Sequence, residues 1–206
     1  MIPDLATLSC QLIQAADGKS RYLVALAGPP GAGKSYRSAL LCDAINQHLP
    51  GQAVVVPMDG YHFDNAVLGR EQLPVKGAPH TFDVDSLRHD LLRIRDGEKA
   101  VAVPVFDRPL DLARAGGRLI TPAHRIVIVE GNYLLLDQAP WCALLPLFDW
   151  TLFIDVDDSV LIERLINRWL CMGKDHAGAL ERTHHKDMLN AQLVKTYSLP
   201  PDQRWL

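Results

Sequence analysis

The chain has no run of about 18 apolar residues, the length a membrane-spanning helix requires. Its start, Met1-Ile2-Pro3-Asp4, lacks the basic residues and apolar stretch of a secretion signal. Neither membrane spanning nor export is expected, and the expected compartment is the cytoplasm. The four cysteines, Cys10, Cys42, Cys142 and Cys171, are far apart and form no Cys-x-x-Cys pair, which argues against a zinc or dithiol site and for reduced thiols. There is also no surplus of one charge. The formal net charge of -3 offers no general attraction to nucleic acid or an anionic membrane, so any phosphate binding must come from local clusters. No repeat, low-complexity tract or linker is present. With 206 residues and 48% hydrophobic content, one domain over 1–206 is expected. Of macromolecular partners, a second copy of the chain in a homodimer is left open.

What is present reads as alternating strands and helices. Leu5, Leu8, Leu12 and Ile13 recur at helical spacing before Asp17-Gly18, which predicts an opening amphipathic helix packed on the core. Tyr22 to Ala27 is a compact apolar run ending in glycine and proline, and Leu40, Leu41, Ala44 and Ile45 then carry a helical pattern. Further buried strands are expected at 53–56, 125–129 and 151–154. Continuous apolar strands separated by helices imply a parallel sheet covered on both faces. Val101 to Phe106 predicts another strand, with Gly116-Gly117 as a turn before the sheet resumes. The Trp205-Leu206 end reads as a final strand cut short, which leaves open whether the natural chain extends past Leu206.

Between the first strand and helix lies Gly28-Pro29-Pro30-Gly31-Ala32-Gly33-Lys34-Ser35, a match to G-x-x-x-x-G-K-[ST] in the context the motif requires. Glycines let backbone N–H groups converge on phosphate oxygens, and a helix N-terminus adds partial positive charge. The segment from Gly28 to Ser35, with Tyr36 after it, is therefore expected to hold ATP. Lys34 would reach the β- and γ-phosphates, and the Ser35 hydroxyl would ligate Mg²⁺. After the second strand, Met58-Asp59-Gly60-Tyr61-His62 places a carboxylate where ligand sites of open α/β sheets gather. Asp59 is the general-base candidate for a substrate hydroxyl, with a turn or capping role as the alternative. Asp64 reads as a helix cap. Glu130 ends the apolar run 125–129 in the manner of a Walker-B acid. A charge there needs a partner or a metal, so Glu130 is a candidate for the Mg²⁺ shell or for a structural hydrogen bond.

These residues resemble the uridine kinase, phosphoribulokinase and pantothenate kinase family of P-loop kinases, and most of all its bacterial nucleoside or nucleotide kinase-like branch. The resemblance rests on Gly28 to Ser35, on 58–62, on Lys76-Gly77-Ala78-Pro79-His80-Thr81-Phe82-Asp83, on Pro104-Val105-Phe106-Asp107-Arg108 and on Val129-Glu130-Gly131-Asn132-Tyr133. It implies the three-layer P-loop α/β fold with a five-stranded parallel sheet in the order 2-3-1-4-5 and a helical lid. It also implies substrate contacts from Asp59, Tyr61, His62, His80, Arg108 and Glu130. Val75 stands where the family leads one to expect a basic residue. His80 is either an acceptor contact or a solvated loop histidine. Arg108 either meets an anionic substrate group or pairs with Asp111.

A helical stretch from Val160 to Leu170 carries Arg164 and Arg168 four apart on one face, and polar residues to His185 include Gly173, Lys174, Gly178 and Arg182. This predicts a lid at about 171–185 whose arginines neutralise a transferring phosphoryl group, against the alternative of a solvated basic face. His184-His185, with no third ligand at suitable spacing, read as surface residues. Asn190 resembles a position near the nucleotide base. The sequence thus points to an ATP-dependent kinase acting on a hydroxyl of a small metabolite: a nucleoside, a pantothenate-like alcohol or a sugar. The rival is a regulatory NTPase without a small-molecule acceptor. A GTPase switch would need an Asn-Lys-x-Asp base reader, and no lysine here follows an asparagine.

Overall fold

The computed structural model describes residues 4–206; Met1-Ile2-Pro3, on which the expectation of no export signal partly rests, lies outside them. The chain opens with α1 (Leu5–Ala15), whose first turn is capped by the Asp4 carboxylate accepting from the Thr7 amide at 2.7 Å. There follow β1 (Tyr22–Ala27), α2 (Lys34–His48), β2 (Ala53–Pro57) and a 3₁₀ turn, Met58–Tyr61. Next come α3 (Asn65–Gln72), α4 (Val84–Asp96), and the strands β3 (Val101–Asp107), β4 (Leu112–Ile120) and β5 (Ile126–Gly131). The remainder comprises β6 (Trp150–Ile154), α5 (Asp158–Cys171), α6 (His176–Arg182), α7 (Met188–Tyr197) and β7 (Gln203–Trp205).

Five strands form one parallel sheet in the order β2-β5-β1-β6-β7. Counted along the chain within that sheet, this is 2-3-1-4-5, as the family resemblance implies. Successive strand residues point to opposite faces, and here both faces are apolar. Leu23, Ala25, Val127, Val129 and Phe153 pack on one side with Leu87, Leu91 and Ile94 of α4 and with Tyr133 and Trp141. Tyr22, Val24, Leu26, Ile126 and Ile128 pack on the other with α1, α2, α5 and α7. Each fully buried large aliphatic side chain contributes about 1.5–3 kcal/mol, so this two-sided burial explains why the strands read as continuous apolar runs.

Two local expectations change. Gly116-Gly117 is not a turn. Both glycines lie within β4, which pairs antiparallel with β3 as a separate hairpin. The register shifts between Val103 and Val105, and a Cβ on Gly117 would stand 2.8 Å from that of Val105, so glycine permits a close crossing at a bulge. The reversal occurs instead at 108–111, where Asp111 takes a φ of 51°. Leu40 is at the surface. The inward stripe of α2 is Lys34, Ser38, Leu41 and Ile45, so helical spacing from two core residues turns Lys34 inward.

The hairpin is docked tightly against the 3₁₀ turn that carries Asp59. A Cβ on Gly60 would come within 2.3 Å of the Pro104 carbonyl oxygen, and only glycine lets β3 pass this close.

Candidate active site

At the carboxyl ends of β1, β2 and β5 the structure opens a cleft of about 870 Å³. One wall is the loop from Gly28 to Gly33. Gly31 and Gly33 take φ values of 82° and 85°, left-handed conformations in which a side chain is strained. The N-terminus of α2 has no side-chain cap, which leaves its first N–H groups facing the cleft. Lys34 is 9% exposed and donates from Nζ to the Pro29 carbonyl at 2.9 Å. Burial pulls its pKa down to about 8, against the opposing attraction of Glu130 and Asp59. Such a loop suits a polyphosphate, whose oxygens need several N–H donors and a cation.

The Ser35 hydroxyl donates to Glu130 Oε1 at 3.0 Å. Burial, and then the nearby Asp59 carboxylate, push Glu130 up to about 7. Among the described residues no group of three His, Cys, Asp or Glu is placed to hold a metal alone. The Ser35–Glu130 pair does fit a small hard cation that takes its other oxygens from polyphosphate and water.

Facing the loop, Asp59 pairs with Arg108 of the hairpin turn. Burial acts to raise its pKa, but Arg108, then His62, Lys34 and Arg168, outweigh it and hold the carboxyl below its ordinary value. Asp59 is therefore ionised at neutral pH. His62 places Nδ1 2.8 Å from the Asp59 carbonyl and lies 4.0 Å from the Phe82 ring and 4.7 Å from that of Phe106, centre to centre. Burial lowers its pKa, which keeps the imidazole neutral.

No protein-family model matches the chain. Similarity to individual proteins is nonetheless informative. It is 38% identical to the crystal structure of a provisionally assigned fructose transport system kinase from Silicibacter sp. TM1040, with a TM-score of 0.93 over 99% of this chain and 100% of that one. A Schizosaccharomyces pombe protein provisionally named uridine kinase C227.14 is 35% identical over 194 residues, 89% of this chain and 82% of its own. The pantothenate kinase of Limosilactobacillus reuteri is 28% identical, over 72% of this chain and 49% of that protein. The chain belongs to the uridine kinase, phosphoribulokinase and pantothenate kinase family of P-loop kinases.

In this P-loop kinase, Pro30, Gly31, Gly33, Lys34, Ser35 and Tyr36 line the cleft, as do Asp59, His62, Arg108 and Glu130. Gly28, Pro29 and Ala32 support the loop from behind. A Cβ on Gly28 would stand 2.8 Å from the Ile154 carbonyl oxygen, Pro29 accepts from Lys34, and Ala32 is fully buried. Arg164, Arg168 and Arg182 also reach the cleft. Arg164 donates to the Gly31 carbonyl at 3.4 Å. Arg168 is half-buried rather than solvated, and burial followed by repulsion from Arg108 lowers its pKa. Arg182 stacks on Trp169, 4.9 Å from the ring centre. His184 and His185 are exposed, Asp64 caps α3 by accepting from the Ala66 amide, and Asn190 is buried at the cleft wall.

Two residues expected as substrate contacts lie off the cleft. Tyr61 does not line the cleft; it is buried and donates its hydroxyl to Asp90 on α4 at 2.9 Å. His80 is exposed and also off the cleft. Two carbonyls just ahead of it in the chain are tied inward, Gly77 by the Tyr133 hydroxyl at 2.6 Å and Pro79 by Trp141 Nε1 at 3.3 Å, while the His80 side chain stays at the surface. Arg108 does not pair with Asp111, whose carboxylate meets Lys76 at 3.2 Å. Sequence reasoning missed Lys186 and Asp187, both on the cleft wall in a π-helical turn, Thr183–Asp187. The available signal was spacing: Arg182 and Lys186 lie four apart, as Arg164 and Arg168 do.

Proposed function

We propose that this kinase transfers the γ-phosphoryl group of ATP, with Mg²⁺, to a hydroxyl of a small metabolite such as a nucleoside, a pantothenate-like alcohol or a sugar. The observation that carries this reading is an ionised carboxylate, Asp59, held in the same cleft as Lys34 of the glycine-rich loop. Asp59 orients the acceptor hydroxyl and accepts its proton as the new P–O bond forms and the bond to the departing ADP breaks. Lys34 and the open N–H groups of α2 hold the phosphate chain, and Ser35 with Glu130 would hold the cation. When bound, Mg²⁺ would supply positive charge that offsets the negative charge developing during transfer. Arg164, Arg168 and Arg182 approach from the α5–α6 side, which we assign as a lid over 171–185 that excludes water on closing.

Purified protein with ATP and Mg²⁺ should form ADP at a rate set by an added alcohol when a panel of nucleosides, pantothenate-like alcohols and sugars is offered. Turnover that ignores every alcohol and responds only to an added protein would instead establish the regulatory NTPase.

A second expectation concerns the lid. Arg168→Ala should lower kcat by about 10²–10³-fold while KM for ATP moves little, because a guanidinium that meets the phosphoryl group during transfer stabilises the transition state above bound ATP. Arg168→Lys should rescue poorly, since an ammonium lacks the planar fork. Thermal melting should be unchanged or slightly raised, because the substitution relieves a half-buried cation that is repelled by Arg108. Unchanged kcat in both variants at saturating acceptor would remove Arg168 from the chemistry.

A further inference from the structure

The acceptor must bring a hydroxyl to Asp59, and the surrounding side chains say what else it carries. On this side of the cleft the Phe106 ring has two cations near it, with Lys76 Nζ 5.3 Å and Arg108 Cζ 5.4 Å from its centre. Lys76 is 7% exposed but well partnered. It donates to Asn65 Oδ1 and to the Asp111 carbonyl, each at 2.7 Å, and pairs with the Asp111 carboxylate. Lys186 sits directly against this segment. A methyl group on Gly77 would stand 3.5 Å from both its Cε and its Nζ. Yet among the described residues Lys186 makes no hydrogen bond and no ion pair within 4 Å, and its neighbours include Arg182 and Arg168 as well as Asp187 and Asp111. The Trp169 ring, its centre 5.7 Å from Nζ, is a favourable neighbour for the cation but no hydrogen-bond acceptor. The amine has thus lost hydration without gaining an acceptor, which costs free energy that an oxyanion would return through a charge-assisted hydrogen bond. Eight lysines and arginines line the cleft against four carboxylates, and a triphosphate already carrying a divalent cation offsets only part of that surplus.

We propose that the acceptor bears an oxyanion, a carboxylate or a phosphate monoester, besides its reacting hydroxyl, and that Lys186 is the principal contact of that group, flanked by Lys76 and Arg108. The proposal rests on the kinase reading above and narrows its substrate class. A neutral nucleoside or free sugar would leave Lys186 as it stands. Burial, with Arg182 next, also holds the Lys186 pKa down to about 8, so the amine is still mostly protonated at neutral pH and able to meet an anion.

The test offers acceptors in matched pairs with ATP and Mg²⁺: hydroxy acids against their amides, and sugar monophosphates against the free sugars. The anionic member of a pair should have the higher kcat/KM by roughly 10–100-fold, the scale of one hydrogen bond to a charged group, and the arm in which this occurs separates carboxylate from phosphate. Lys186→Met should remove that preference by raising KM for the anionic acceptor, with kcat and KM for ATP moving less than about threefold, and Lys186→Arg should restore much of it. Equal or better turnover of the neutral members overturns the proposal and leaves the kinase reading intact. A Lys186→Met variant that raises KM for charged and neutral acceptors alike, or for ATP instead, also overturns it. Absence of transfer to every member overturns both together.

Discussion

Lys34→Ala is expected to reduce phosphoryl transfer roughly 10³-fold or more, because it removes both a donor and a positive charge aimed at the phosphates. The fold should survive. Among the described residues the Lys34 side chain makes one hydrogen bond, to its own loop, and burial, which disfavours the charged amine, pulls its pKa down to about 8. That shift gives a second readout with a definite sign. Below about 8 both folded and unfolded chains hold the proton, and the full unfavourable contribution of the buried charge is present. Between about 8 and the ordinary lysine value of 10.5 the unfolded chain binds more protons than the folded one, so stability attributable to this group rises with pH. Lys34→Met, which keeps the apolar stem, should therefore melt at least as high as the parent at neutral pH. The parent should gain on it as pH increases through that window. Near-normal turnover in either variant would end the assignment of the loop.

The parts of this molecule that were legible in the sequence are those set by local pattern. Strands buried on both faces must be apolar at every position, so β1, β2, β5 and β6 stand out within a residue or two of their bounds. The phosphate loop is legible because its chemistry needs glycine, lysine and serine at fixed spacing along one strand-to-helix connection. The sheet order came only with the family resemblance, since periodicity does not say which parallel strands are neighbours.

The rest of the site depends on contacts between segments distant in the chain. Arg108 meets Asp59 rather than Asp111 because β3 crosses beneath Gly60 and brings position 108 over the 3₁₀ turn. Nothing local distinguishes those two carboxylates. The pair Gly116-Gly117 looks like a turn by composition, yet serves a bulge, because a close crossing and a reversal both call for a missing Cβ. His80 and Tyr61 sit in motifs that resemble substrate-binding segments, but the folded chain leaves the first at the surface and ties the second to Asp90. Lys186 was invisible for a related reason. A lysine beside two exposed histidines reads as solvated surface until the turn that carries it is seen folded against Gly77.

Asp59→Asn is the substitution that most directly separates chemistry from architecture at the centre of the cleft. Asparagine keeps the shape and can still accept a hydrogen bond from Arg108 or from the acceptor hydroxyl, but it cannot take the proton. kcat should fall by about 10²–10⁴-fold, the scale of a lost general base, while ATP affinity stays within a few-fold. The stability profile should change in one direction. Asp59 is held below its ordinary value of 3.8, chiefly by Arg108 acting against burial, so its ion pair stabilises the fold above that value and is lost as pH falls through the lower folded one. The variant should accordingly be less stable than the parent at neutral pH, and the gap should close in acid. Asp64→Ala supplies the contrast. It removes the cap of α3 from a residue that does not line the cleft, so it should cost about 1 kcal/mol of stability with kcat preserved. If Asp59→Asn behaved like Asp64→Ala, losing stability but keeping kcat, the carboxylate would be holding Arg108 and the hairpin in place, and the base would have to be sought elsewhere in the cleft.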